Sequence, residues 1–135
     1  SALYDFILSN PPYFSNSLKS DHPGRNQARH DISLNYRTLF HHIRQLLKPD
    51  GECCVIFPAD SLEFVNRETM ANGLIAQRLC SILPFPGSNR IRVMGTWSLR
   101  NRSTLEETEL VIRNEHGTYS KDYLELTREY HQFIP

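Results

Sequence analysis

The sequence lacks any run of about 20 apolar residues, so no segment reads as a membrane-spanning helix. Its opening stretch, Ser1-Ala2-Leu3-Tyr4-Asp5, has neither a basic region nor an apolar one, and no signal peptide is expected there. Neither sign of charge is in excess: 15 Lys and Arg balance 15 Asp and Glu. That balance offers no global basic signal for nucleic acid, and it does not exclude nucleic acid either. Cysteine is scarce. Cys53 and Cys54 are adjacent inside an apolar run and Cys80 stands alone, so neither a disulfide framework nor a C-x-x-C metal site can be built. Reduced, buried thiols in a cytoplasmic protein are the expectation. No two histidines have the spacing of a helical zinc pair, and no metal site is predicted. The six glycines (Gly24, Gly51, Gly73, Gly87, Gly95 and Gly117) are too scattered to form a G-x-G phosphate turn.

What is present is enough for one hydrophobic core: 135 residues, 39% of them hydrophobic, with a mean hydropathy of −0.47. Charge is distributed unevenly. Lys19, Arg25, Arg29, Arg37 and Arg44 share a window with His22, His30, His41 and His42, against only Asp21 and Asp31. Acids gather later, at Glu106, Glu107 and Glu109 and again at Asp122, Glu125 and Glu129.

Residues 4–9 read as a short buried strand ended by Asn10-Pro11-Pro12, because proline cannot continue a ladder. Residues 15–30 are polar, contain Gly and Pro, and read as a long loop. Asp31 is positioned to cap a helix with Tyr36, Leu39, Phe40, Ile43, Leu46 and Leu47 on one face, closed by Lys48-Pro49-Asp50-Gly51. Residues 53–57 form a continuous apolar strand. Asp60 or Ser61 begins a second helix that ends near Gly73. Strands are predicted over 74–83, 91–99 and 109–113, the second returning antiparallel, with a final helix after Tyr119 carrying Tyr123, Leu124, Leu126, Thr127, Tyr130 and Phe133. The order β-α-β-α-β-β-β-α describes an α/β fold with a mixed sheet and antiparallel edge strands.

Asn10-Pro11-Pro12-Tyr13 carries the chemistry. In an open α/β sheet, ligands bind beyond the carboxyl ends of strands, where Asn10 falls. Two prolines stiffen the turn, so the Asn10 amide oxygen and the Pro11 carbonyl are held as acceptors at low entropic cost. An exocyclic amine with two N–H donors fits that pair. Tyr13 offers a ring for an extruded purine, a stacking interaction of about 1–3 kcal/mol, and Phe14 and Pro12 would line the same pocket. The target base must be unstacked to reach it. A rigid turn in which Asn10 bonds its own backbone would give the same four residues.

Residues Tyr4 to Phe14 resemble the fourth motif of class I, S-adenosylmethionine-dependent amino-methyltransferases, whose N-P-P-Y form acts on adenine N6 or on glutamine amides. Arg29-His30-Asp31, Leu46 to Gly51, Phe57-Pro58-Ala59 and Lys121 to Thr127 are similar to stretches of the bacterial valine-tRNA (adenine-N6) methyltransferases. The resemblance extends from Leu3 to about Phe133. It implies that Asn10, Pro11 and Tyr13 serve catalysis, with Pro12, Phe14, Arg29 and His30 contacting a tRNA substrate. It also implies that Asn10 borders the donor site. Glutamine-amide methylation, DNA adenine methylation and a non-catalytic RNA-binding module remain alternatives.

The family's donor-binding features, a glycine-rich turn after the first strand and an acidic residue after the second, are missing from this sequence. The chain is therefore expected to be the C-terminal half of a Rossmann-like class I methyltransferase domain, a single truncated domain over 1–135 that begins at the N-P-P-Y strand. Two consequences are expected. S-adenosylmethionine should bind this chain weakly if at all, and strand 4–9 should be an apolar edge that favours self-association.

Overall fold

The computed structural model describes residues 3–12, 25–101 and 104–130. The chain order is β1 (Tyr4–Ser9), α1 (Arg25–Leu46), β2 (Leu47–Pro58), a 3-10 turn at Ala59–Ser61, α2 (Leu62–Ala71), β3 (Ile75–Leu83), β4 (Arg92–Ser98), β5 (Glu106–Val111) and α3 (Lys121–Thr127). The five strands make one sheet in the order β1-β2-β4-β3-β5. β1 runs parallel to β2 and β5 parallel to β3, while β4 is antiparallel to both of its neighbours. The sheet is mixed, as expected, but its antiparallel member lies inside it rather than at an edge.

Packing follows strand alternation, which sends successive side chains to opposite faces. Cys53, Val55 and Phe57 of β2 pair in register with Trp97, Gly95 and Val93 of β4 on one face. Ile32, Tyr36, Phe40 and Ile43 of α1 and Phe64 and Val65 of α2 complete a single buried cluster with them. Trp97 sits at its centre, edge-on to Phe40 at 5.8 Å between ring centroids and 6.3 Å from Phe57. The opposite face carries Phe6, Leu8, Ile56, Met94 and Cys80, none of them part of that cluster.

Four expectations need correction. First, α1 begins at Arg25, so residues 25–30 are helix rather than loop, and Asp31 lies inside the helix instead of capping it. Gln27, Ala28 and Arg29 are good helix formers, and Gln27 donates to Asp31 one turn on at 3.0 Å. Second, Lys48-Pro49-Asp50-Gly51 does not follow the helix as a loop but belongs to β2. Tyr4 pairs with Leu47 and Phe6 with Glu52, so these four residues form a bulge. Pro49 is tolerated there because a bulge has no ladder bond to lose. Gly51 closes it, since a Cβ would meet Leu47 Cδ1 at 2.7 Å and the Asp5 carbonyl at 3.0 Å. Third, β1 is not buried: Phe6 is 55% and Leu8 64% exposed, because β2 is its single neighbour. Fourth, the last helix ends at Thr127, so Tyr130 lies beyond it and is exposed; Phe133 lies outside the described residues.

Elsewhere the expected elements are found with bounds moved by one to three residues. Gly73 adopts φ +69° just beyond α2, as a helix C-terminus demands. Ser120 caps α3 by accepting from the Tyr123 backbone N–H at 3.0 Å.

Candidate target-base site

The turn after β1 places Asn10, Pro11 and Pro12 at the carboxyl end of the sheet. Ser9 pairs with Val55, so the three residues run alongside the last residues of β2, which ends at Pro58. The Ala59 N–H donates to the Ile91 carbonyl at 3.0 Å, tying the end of β2 to the β3–β4 loop. α1 starts at this end as well. Its last residue accepts a bond from the Leu3 N–H at the start of β1 (2.9 Å), and its first turns meet the beginning of α2.

Asn10 is exposed and Pro11 half-buried. Among the described residues the Asn10 amide makes no hydrogen bond, and neither Pro11 nor Pro12 has an N–H to offer it. An amide oxygen and a proline carbonyl held at the end of a rigid strand can accept two N–H bonds from one nitrogen. Pro12, also exposed, continues the turn. Tyr13 and Phe14, expected to stack on the base, lie outside the described residues.

Arg29 and His30 do not sit on a loop. They are in the first turns of α1, and Arg29 is committed to α2: its guanidinium lies 5.3 Å from the Phe64 ring centroid and 3.9 Å from a Glu63 oxygen. Arg67 flanks the same ring and bonds Glu63 at 3.3 Å. The cluster ties the start of α1 to the start of α2. His30, one residue on, is exposed and makes no contact of this kind among the described residues.

The β3–β4 loop was legible only as a turn. It is held tight by Ser88, whose hydroxyl donates to the Phe85 carbonyl at 2.7 Å and accepts from the Phe85 N–H at 3.2 Å. Phe85 and Ile91 are thereby presented to solvent at the same end of the sheet. A phenylalanine between two prolines was the available signal.

No reactive thiol lies near this end. Burial pushes the Cys53 thiol up to about 12, outweighing a hydrogen bond with the Trp97 backbone. Burial likewise raises Cys54, against a hydrogen bond with Thr96. Among the described residues no group of His, Cys, Asp and Glu is arranged to hold a metal ion, and no helix is long and apolar enough to cross a membrane.

No protein-family model matches the chain. Against a tRNA1(Val) (adenine(37)-N6)-methyltransferase of Bacteroides thetaiotaomicron it is 35% identical over 95% of its length, covering 54% of that protein. The enzyme of the same name from Vibrio cholerae is 36% identical over 93% of the chain, which covers 51% of it. The chain is a homologue of about half of each of these enzymes. Among solved structures, a predicted O-methyltransferase from Agrobacterium tumefaciens superposes with a TM-score of 0.67 at 13% identity, over 96% of this chain and 53% of that one. A modification subunit of a putative type I restriction enzyme from Vibrio vulnificus reaches 0.50 at 10% identity, over 93% and 30%. The fold is thus that of Rossmann-like class I methyltransferases, matched over about half of the first of these chains.

Proposed function

We propose that the chain is the target-base half of an enzyme that transfers a methyl group from S-adenosylmethionine to the exocyclic N6 amine of an adenine in tRNA. The observation that carries this reading is Asn10-Pro11-Pro12 at the carboxyl end of β1, with Asn10 exposed. The names of the relatives, tRNA adenine-N6 methyltransferases, favour adenine in tRNA over a glutamine amide or DNA.

The chemistry assigned to this chain is the preparation of the nucleophile. The adenine must leave its stack before its N6 edge is accessible. Its two N–H groups then donate to the Asn10 Oδ1 and the Pro11 carbonyl, which draws the nitrogen out of conjugation and frees its lone pair. Tyr13, with Phe14 beside it, is assigned the purine face, and Pro12 keeps the turn stiff. The donor, when bound, supplies an electrophilic methyl carbon. After transfer the methylated nitrogen is cationic and releases one of its two N–H protons to solvent, while the other keeps its bond to Asn10 or Pro11.

Among the described residues no glycine-rich turn is found to hold the donor. The glycines with positive φ, Gly73, Gly87 and Gly117, occupy three unrelated turns and make no phosphate- or ribose-binding loop. We therefore assign donor binding to residues outside this sequence, which would add beside the edge of β1. Without them, the same edge is assigned to self-association. The protein is taken to act in the cytoplasm, where its tRNA substrate is found.

A methyl-transfer assay on tRNA, with the chain complemented by the other half of a full-length relative, tests the reading. Asn10→Ala should lower the rate by a factor of about 100 or more, the scale of losing one oriented polar contact in a transition state. Methylation of a glutamine-containing release-factor peptide in place of tRNA would overturn the RNA assignment. An unchanged rate in Asn10→Ala would overturn the site.

A further inference from the structure

We propose that the outward stripe of α1 is a contact surface for the RNA backbone, leading away from the target-base end of the sheet. The inference rests on the reading that the substrate is RNA.

Helix α1 has four arginines and three histidines and one acid, Asp31. His30, Leu34, Arg37, His41 and Arg44 recur at alternating spacings of four and three, which places them on one side of a helix. All five are exposed, while Ile32, Tyr36, Phe40 and Ile43 on the inner side are buried. From His30 to Arg44 the stripe rises about 21 Å, at about 1.5 Å per residue. It starts at the end of the sheet where Asn10 lies and runs toward the opposite end.

Two of the carboxylates facing this helix are ion-paired. Glu63 of α2 is held by Arg29 and Arg67, and Glu68, nearly buried, accepts from the Arg37 Nε at 3.4 Å. Asp31 takes the amide of Gln27. His30, His41 and Arg44 have no hydrogen-bond or ion-pair partner among the described residues. A groove of about 410 Å³ between α1 and α2, lined by Arg37, Thr38, His41, Ala71 and Asn72 with Glu68 beneath, borders the stripe. Guanidinium groups bind phosphate oxygens through paired N–H donors, and an imidazole has an N–H donor in either protonation state. A stripe of such donors on a rigid helix fits the phosphates of an RNA strand whose adenine is turned toward Asn10.

The test is fluorescence anisotropy of a labelled RNA stem–loop with an unpaired adenine, titrated with the full chain between about 50 and 200 mM salt, where phosphate contacts are most visible. The double variant His41→Gln/Arg44→Gln changes only exposed positions, and far-UV circular dichroism checks that its helix content is kept. It should bind roughly five- to tenfold more weakly, with the log–log salt slope reduced by about 1. Arg128→Gln, which removes an exposed cation beyond α3, should leave both unchanged. Equal affinity and slope in the double variant would overturn the inference while leaving the methylation reading in place. Displacement of the RNA by polyglutamate as readily as by unlabelled RNA would overturn it in favour of an acidic protein partner. Absence of binding by the unaltered chain would also overturn it, and the methylation assay would then decide separately whether RNA is the substrate.

Discussion

Gly95 lies in the middle of β4 because the indole of Trp97, two residues on and on the same face, lies across it. A Cβ at this position would meet the Trp97 Cη2 at 2.2 Å, far inside contact distance. Gly95→Ala should therefore destabilise the protein by about 1–3 kcal/mol, the range for overpacking a dense core, measurable as a lowered urea midpoint. Cys53, beside the same indole, makes a second prediction. Its thiol is pushed up to about 12 by burial, whereas an unfolded thiol titrates near ~8.5. Folding thus favours the protonated form, and this contribution is complete below about 8.5 and lost as the pH rises toward 12. Urea melts at pH 7.5 and pH 10 should show a larger fall for the parent chain than for Cys53→Val. Equal falls would assign the effect to other groups. The place of Asn10 just beyond the end of β1 was legible because proline cannot continue a strand. The role of Gly95 was not legible, since nothing in the residue pattern tells which side chain will fold back over a glycine.

Among the elements, β1 and α1 separate what periodicity can reveal from what it cannot. The apolar face of α1 was readable because Tyr36, Phe40 and Ile43 keep the helical period. Its first six residues were missed because they have no apolar period; their order comes from Gln27 bonding Asp31 and from Arg29 docking on Phe64, a partner 35 positions away. In β1, alternation puts Tyr4, Phe6 and Leu8 on one face, but it does not say whether that face is covered. The structure leaves all three more than half exposed on a strand with a single neighbour. An apolar edge of this kind is a template for further pairing. We expect the chain to form dimers or larger species as concentration rises, seen by light scattering. Phe6→Lys with Leu8→Lys should shift it toward monomer, since charged residues on edge strands oppose pairing. A parent chain that stays monomeric at high concentration would contradict the expectation.

For the molecule as a whole, the asymmetry of the sheet is the leading fact. One face is packed by α1 and α2, the other carries half-exposed apolar side chains, and the chain spans about half the length of the curated relatives it matches. Fold class was readable because β-α-β-α units with short connections admit few arrangements. The interior position of β4 was harder to foresee, because an antiparallel return can insert between existing strands as readily as add at an edge. Calorimetric titration of S-adenosylmethionine should give no heat with this chain alone and a saturating curve once the donor half is added. Tight binding by the chain alone would mean that the donor sits against residues other than those assigned. Trp97 makes the assembly of these layers visible. It is the sole tryptophan of the chain and 1% exposed, wedged where α1, β2 and β4 meet. Excited at wavelengths that tyrosine does not absorb, the protein's ultraviolet emission therefore comes from one spot. A red shift in its colour would signal that helix and sheet have parted there, while fraying at the ends of the chain would leave the light unchanged.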